Sequence, residues 1–162
     1  MKETLLKAEK LSKSFSNGGT MQHVLKNIDL KLYNGDFTVI MGASGAGKST
    51  LLYAISGMDT PTLGTITFRD QVISDLSQDG LAVFRRDHCG FVFQQIYLID
   101  GMSVMDNVLS AGLLVSKDKK ALAAKAKELF EAVDISEETQ RKFPTQISGG
   151  EAQRVGIVRA LI

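Results

Sequence analysis

With 162 residues, 44% hydrophobic and 23% charged, the chain is long enough to bury a core of its own and has the make-up of an ordinary globular protein. A net charge of +1 leaves no electrostatic footprint for nucleic acid or anionic lipid. The lone Cys89 excludes an internal disulfide and fits a reducing compartment, and no stretch approaches the ~20 apolar residues of a membrane span or resembles a signal peptide.

In chain order, residues 4–15 carry β-type residues and end at Phe15, followed by the turn Ser16-Asn17-Gly18-Gly19. Residues 22–33 come to alternate apolar and polar, as a half-buried antiparallel strand does. Asn34-Gly35 turns the chain into Phe37-Thr38-Val39-Ile40-Met41, a continuous apolar run that predicts a strand buried on both faces. Gly42-Ala43-Ser44-Gly45-Ala46-Gly47-Lys48-Ser49 follows at once, fitting G-x-x-x-x-G-K-[ST], and a helix over 48–57 stops at Gly57 with Pro61 beyond.

That loop is the most informative stretch. Its glycines let backbone N–H groups converge on an anion, and the next helix points its positive end at the same spot. A cation at a helix N-terminus is unfavourable by about 0.3–1 kcal/mol unless an anion sits there, so Lys48 speaks for phosphate. Lys48 would reach the β- and γ-phosphates of a nucleotide, and Ser49 would give its hydroxyl to Mg²⁺.

Residues 65–68 read as a strand, residues 75–87 as loosely helical, and Gly90-Phe91-Val92-Phe93 as a short strand running into Gln94-Gln95. From 103 the pattern is helical, most clearly over 119–133, where Leu122, Ala126, Leu129, Phe130 and Val133 line one face. Pro144 ends that region and a last helix spans 148–162. At its start Ser148 and Glu151 form an S-x-x-E capping box. The intervening Gly149 and Gly150 cost a helix about 1 kcal/mol each against alanine. Two readings stand: a structural cap, or exposed amides that receive an anion. His23 and His88 stand alone and read as surface or satisfied polar groups, and Cys89 as a small core residue.

Taken together, Walker A at 42–49, Phe91-Val92-Phe93-Gln94 as a Q-loop and Ile147-Ser148-Gly149-Gly150-Glu151 as a signature resemble the ATP-binding cassette (ABC) transporter ATPases, in that family's order and spacing. Arg85-Arg86, residues 90–95 and Met105-Asp106-Asn107-Val108 look most like the bacterial subgroup serving lipoprotein release, macrolide export and antimicrobial-peptide resistance. Ile147 in place of Leu, Glu151 in place of Gln and Phe15 in place of Tyr are departures from the pattern, each of a mild kind.

The resemblance implies an α/β fold: a P-loop NTPase core with an antiparallel β subdomain (1–36), a P-loop part (37–94), an inserted α-helical subdomain (95–150) and a signature helix (151–162). It implies ATP and Mg²⁺ as cofactors. Phe15 would stack on adenine; Gly42, Ser44, Gly45, Ala46, Gly47, Lys48, Ser49 and Thr50 would hold the phosphates. Ser148, Gly149, Gly150 and Glu151 would close over them from a mate in a homodimer or pseudo-dimer of ATP-binding domains. Ser49 and Gln94 would serve the metal, and Gln94 would have the catalytic role of touching Mg²⁺ or the attacking water. A separate membrane permease would be the partner, with the chain peripheral on the cytoplasmic face and no nucleic acid involved.

The family pattern continues past Arg159-Ala160-Leu161 into a strand with the Walker B Asp and catalytic Glu, then a switch His. Residues 1–162 by themselves are therefore expected to bind nucleotide weakly and not to hydrolyse it. A non-hydrolysing nucleotide-binding module and a DNA-repair-type ABC ATPase are the competing readings. The second would need a long coiled coil between Gln94 and Ser148, where no sustained heptads occur.

Overall fold

The computed structural model describes residues 2–162, Asn17 by its backbone alone, in two compact units divided at Arg85/Arg86. In the first, strands β1 (Thr4–Asn17) and β2 (Thr20–Tyr33) form an antiparallel hairpin across the turn at Gly18 and Gly19. Helix α1 (Lys48–Ile55), strands β3 (Leu63–Phe68) and β4 (Gln71–Val72) and most of helix α2 (Gln78–His88) complete it. The sheet order is β2-β1-β3-β4, antiparallel throughout.

A simple alternation cannot bury both Ala8 and Leu11, which lie three residues apart yet are both inside. The chain solves this with an irregularity between them: Lys10 takes a φ of 49° and its N–H donates to Asp29 Oδ1 at 2.8 Å. Opposite, Asn27 also has a φ of 49°, and its N–H donates to Ser12 Oγ at 3.0 Å. Leu6, Ala8, Leu11, Leu25, Ile66 and Ile73 from the sheet side then share the unit's core with Ala54 and Ile55 of α1 and Leu81 and Phe84 of α2. Phe68 meets Phe84 edge-on at 5.2 Å.

The second unit is helical. Helices α3 (Val104–Gly112), α4 (Lys119–Ala132) and α6 (Gly149–Leu161) pack on one another, and α5 (Glu137–Arg141) packs on α3. Each start is capped as its sequence dictates: Ser103 Oγ accepts from Asp106 N, Asp118 Oδ1 from Lys120 N and Ala121 N, and Ser136 Oγ from Thr139 N. The core is Val104, Val108, Ala126, Phe130, Val155 and Val158, from the apolar stripes of α3, α4 and α6, with Ile135 from the link between α4 and α5.

Two predicted strands do not form. Residues 37–41 lie outside any ladder, with Phe37 95% and Met41 84% exposed. An apolar run becomes a buried strand only when neighbours bond its backbone and cover both faces; among the described residues the one sheet pairs elsewhere. Residues 91–93 are likewise irregular, their rings stacked along the chain with Phe91 and Phe93 centroids 5.9 Å apart. Cys89 is half-buried rather than a core residue.

Candidate functional site

The glycine loop forms without its strand being paired. Gly45 and Gly47 take φ of 78° and 85°, the left-handed region that only glycine enters freely, and Gly47 is the N-cap of α1. No side chain caps this helix and its first turn carries no acid. The leading N–H groups of a helix have no acceptor within it, so the amides of Lys48, Ser49 and Thr50 face the loop with the positive end of the helix behind them. Lys48 turns back across the loop, its Nζ donating to the carbonyls of Gly42 at 2.9 Å and Ala43 at 2.8 Å. The ammonium is thus held at the mouth of the loop. Ser44, Gly45, Ala46 and Ser49 are exposed there and Gly47, Lys48 and Thr50 half-buried. Such a set of amides, hydroxyls and one cation suits a polyphosphate, and Ser49 can supply a single oxygen to a hard cation that takes most of its ligands from phosphate and water.

Phe15 stands on the same unit. A Cβ at Gly47 would come within 3.1 Å of Val24 and Leu25 side chains, so the loop rests on β2 at those residues. Leu25 pairs with Lys13 and His23 with Ser14 across the hairpin, which brings Phe15 onto the strand segment beside the loop. Its ring is 43% exposed, and Lys13 Nζ lies over it, 5.1 Å from the centroid.

In the second unit α6 carries the other glycine pair. The capping box is complete: Glu151 N donates to Ser148 Oγ at 3.2 Å, and Ser148 N and Oγ both donate to Glu151 Oε2 at 2.8 Å. These bonds from Ser148 hold the Glu151 carboxyl below the usual carboxylate range. Gly149 and Gly150 are exposed, with nothing within 4 Å of a Cβ built at Gly149. Cap and open amides therefore coexist: the box ties Ser148 to Glu151 and leaves the two glycine N–H groups facing out.

The same helix braces the segment around Gln94, which is itself exposed. Gly156 admits Ile96, whose atoms would lie 3.1 and 3.3 Å from a Cβ at that position, and Gly90 abuts the carbonyl of Ala160. Arg159 Nη1 donates to the Tyr97 carbonyl at 2.5 Å. Partial burial pulls the Arg159 guanidinium pKa down, though it stays charged. Asn107, 1% exposed, fixes the chain just beyond: it accepts from Ile99 N at 2.7 Å and donates to the carbonyls of Ile99, Met102 and Ser103 at 3.0–3.2 Å. Neither Asn107 nor Arg159 stands out as a support by its residue type. The available signal is an Asn four residues after a Ser N-cap, on the apolar face of a helix.

An antiparallel β subdomain, a glycine loop opening a helix, and a helical subdomain ending in a helix begun by Ser-Gly-Gly-Glu define an ATP-binding cassette. Comparison with known proteins leads to the same class: residues 25–162 match the model of the ABC transporter family. The chain belongs to that family, among its ATP-binding proteins of the lipoprotein-release and macrolide-export type. It is 40% identical over 157 residues to an uncharacterized ABC transporter ATP-binding protein of Methanocaldococcus jannaschii, covering 97% of this chain and 70% of that one. To the lipoprotein-releasing system ATP-binding protein LolD of Idiomarina loihiensis it is 37% identical, covering 100% and 71%. To the macrolide export ATP-binding/permease protein MacB of Wolinella succinogenes it is 38% identical, covering 100% and 25%. Among solved structures, the ATP-binding cassette MJ0796, dimeric in a post-hydrolysis state bound to ADP and Pi, superposes with a TM-score of 0.89 at 35% identity, over 96% of this chain and 68% of that one.

Proposed function

We propose that the protein binds Mg-ATP between two cassettes and uses its binding and hydrolysis to drive a separate membrane permease. The observation that carries this reading is the loop at 42–50: a left-handed Gly47 cap, a first turn free of acid and an ammonium pinned at the loop mouth by two carbonyls. On one side Gly42, Ser44, Gly45, Ala46, Gly47, Lys48, Ser49 and Thr50 hold the triphosphate, with Phe15 against the base. Ser49 and Gln94 serve Mg²⁺, which when bound spreads and neutralises the phosphate charge. From the mate, the amides of Gly149 and Gly150 close on the terminal phosphate, joined by the Ser148 hydroxyl once it turns its proton from Glu151 to the phosphate, while Ser148 N keeps its bond to Glu151. Gln94 orients the attacking water. Because α6 is locked to the Gln94 segment at Ile96 and Tyr97, a push on that segment is carried to Ser148 within one unit.

Among the described residues no helix is long and apolar enough to cross a membrane. By its family we place the chain peripheral on the cytoplasmic face, against the permease.

The test is Mg-ATP-dependent dimerisation of the full-length protein by light scattering. Lys48→Ala on one face and Gly150→Asp on the other should each abolish it while each variant stays folded. Dimerisation that survives either change would overturn the two-sided grip.

A further inference from the structure

We propose that Lys13 is a positioning residue for nucleotide base recognition: paired with Asp59, it sets the plane of Phe15 and ties it to the phosphate loop. This rests on the reading of Phe15 as the base-stacking ring.

Lysine is rarely buried unless it is paired, and the side chain of Lys13 is only 12% exposed. Its Nζ donates to Asp59 Oδ1 at 2.6 Å and to the Thr60 carbonyl at 2.7 Å, which leaves the ammonium little freedom. The same Nζ sits over the Phe15 ring, while Phe15 keeps 43% of its surface open. Thus a fixed, largely buried cation underlies an exposed aromatic, and the cation attracts the ring's electron-rich face.

Stability alone does not call for this arrangement. The pair is only partly buried, the Asp59 side chain being 36% exposed, and ion pairs open to water contribute little to stability. What an apolar pair would not supply is a charge fixed beneath the ring.

Asp59 stands at a particular place. The chain leaving α1 is stitched back by Met58 N and Asp59 N, which donate to the Tyr53 carbonyl at 2.9 and 3.1 Å. Asp59 therefore extends the rigid end of the helix whose other end is the phosphate loop. Neighbouring bonds run the same way: Thr62 N donates to the Ser12 carbonyl at 2.8 Å and Ser14 N to Thr62 Oγ1 at 3.0 Å. β1, which carries Phe15, is thereby clamped on both sides of Lys13 to the segment that follows α1. A nucleotide spans ring and loop at a fixed separation, and the Lys13–Asp59 bond is the charged part of the tie between them.

The experiment compares binding of Mg-ATP with binding of Mg-triphosphate, which has no base, by calorimetry on the full-length protein. Lys13→Met should weaken ATP by up to about five-fold, the limit set by the weight of the cation–π contact that orients the ring, and leave triphosphate unchanged. Lys13→Arg should restore ATP binding. Phe15→Ala should show the same base-specific loss, and the double variant should lose no more than Phe15→Ala alone. The pair Lys13→Met with Asp59→Asn avoids an orphaned carboxylate should the single change impair folding, and the same split between ligands is expected of it. An unchanged ATP affinity in Lys13→Met beside a loss in Phe15→Ala overturns the positioning role alone. Equal losses of ATP and triphosphate overturn it too, showing a merely structural tie. An unchanged affinity in Phe15→Ala removes the base-stacking reading, and this proposal with it.

Discussion

Gly45 and Gly47 lie two residues apart in the same loop, both with positive φ, yet the structure predicts different costs for the same substitution. At Gly45, φ is 78° and nothing lies within 4 Å of a built Cβ. Gly45→Ala therefore meets only the left-handed penalty of about 1–2 kcal/mol, partly offset by about 0.4–1 kcal/mol from a stiffer unfolded chain. At Gly47, φ is 85° and the Cβ would stand 3.1 Å from Leu25 Cδ2, 3.1 Å from Val24 Cγ1 and 3.3 Å from the Val24 carbonyl oxygen. Val24 lies in β2 between His23 and Leu25, both paired with β1, so the crowded atoms have little room to retreat and the contact adds about 1–3 kcal/mol. Urea unfolding followed by circular dichroism should place Gly47→Ala about 2 kcal/mol below Gly45→Ala. Mg-ATP affinity should fall further in the Gly47 variant, because any relief of the clash moves the amides of the loop. Equal losses of stability in the two variants would refute the reasoning, since they would mean that the loop does not rest on β2.

Three further outcomes are expected. Lys48→Ala should lower Mg-ATP affinity of the full-length protein by at least about tenfold, the weight of one charge-assisted contact, with stability little changed; calorimetry and urea melts check both. Asn107→Ala should cost about 2 kcal/mol in urea unfolding, because a buried side chain that ties down residues 99–103 through four part-buried hydrogen bonds is lost, and hydrogen exchange should speed up first at the Ile99 amide. Glu151 has its folded-state pKa depressed by Ser148, so its contribution to stability is full above the unfolded-state value and is lost as pH falls through the folded one. The stability gap between the parent and Glu151→Gln should therefore shrink on going from neutral pH to about pH 3, below the ordinary carboxylate pKa; a gap independent of pH would remove the assigned role of the carboxylate.

The devices legible in the sequence are those closed by residues a few positions apart. Ser148 and Glu151 find each other because a helix start places them one turn apart; the Gly47 cap and the reach of Lys48 to Gly42 and Ala43 are set within seven residues. Helix α4 was legible from its stripe because one face of it meets one core. What was not legible depends on residues far apart in the chain. The irregularities at Lys10 and Asn27 exist so that Ala8 and Leu11 can share a face, and no local signal announces them. Lys13 as partner of Asp59, and Arg159 as partner of the Tyr97 carbonyl, bridge 46 and 62 residues.

The run at 37–41 makes the same distinction from the other side. Its apolar content is correct for a strand covered on both faces, but content specifies only what a segment will do when neighbours are present. Here it stays unpaired and exposed, and the loop that follows it is nevertheless shaped, since left-handed glycines, a helix cap and a folded-back lysine do not depend on that run being paired. The shape of the phosphate loop is therefore written largely in residues 42–48, with Val24 and Leu25 of β2 beneath Gly47. A direct consequence is that polar substitutions on the exposed run, such as Phe37→Ser, should perturb Mg-triphosphate binding by these 162 residues far less than Gly47→Ala does. A comparable loss from Phe37→Ser would show that the strand, and not the loop, holds the amides in place.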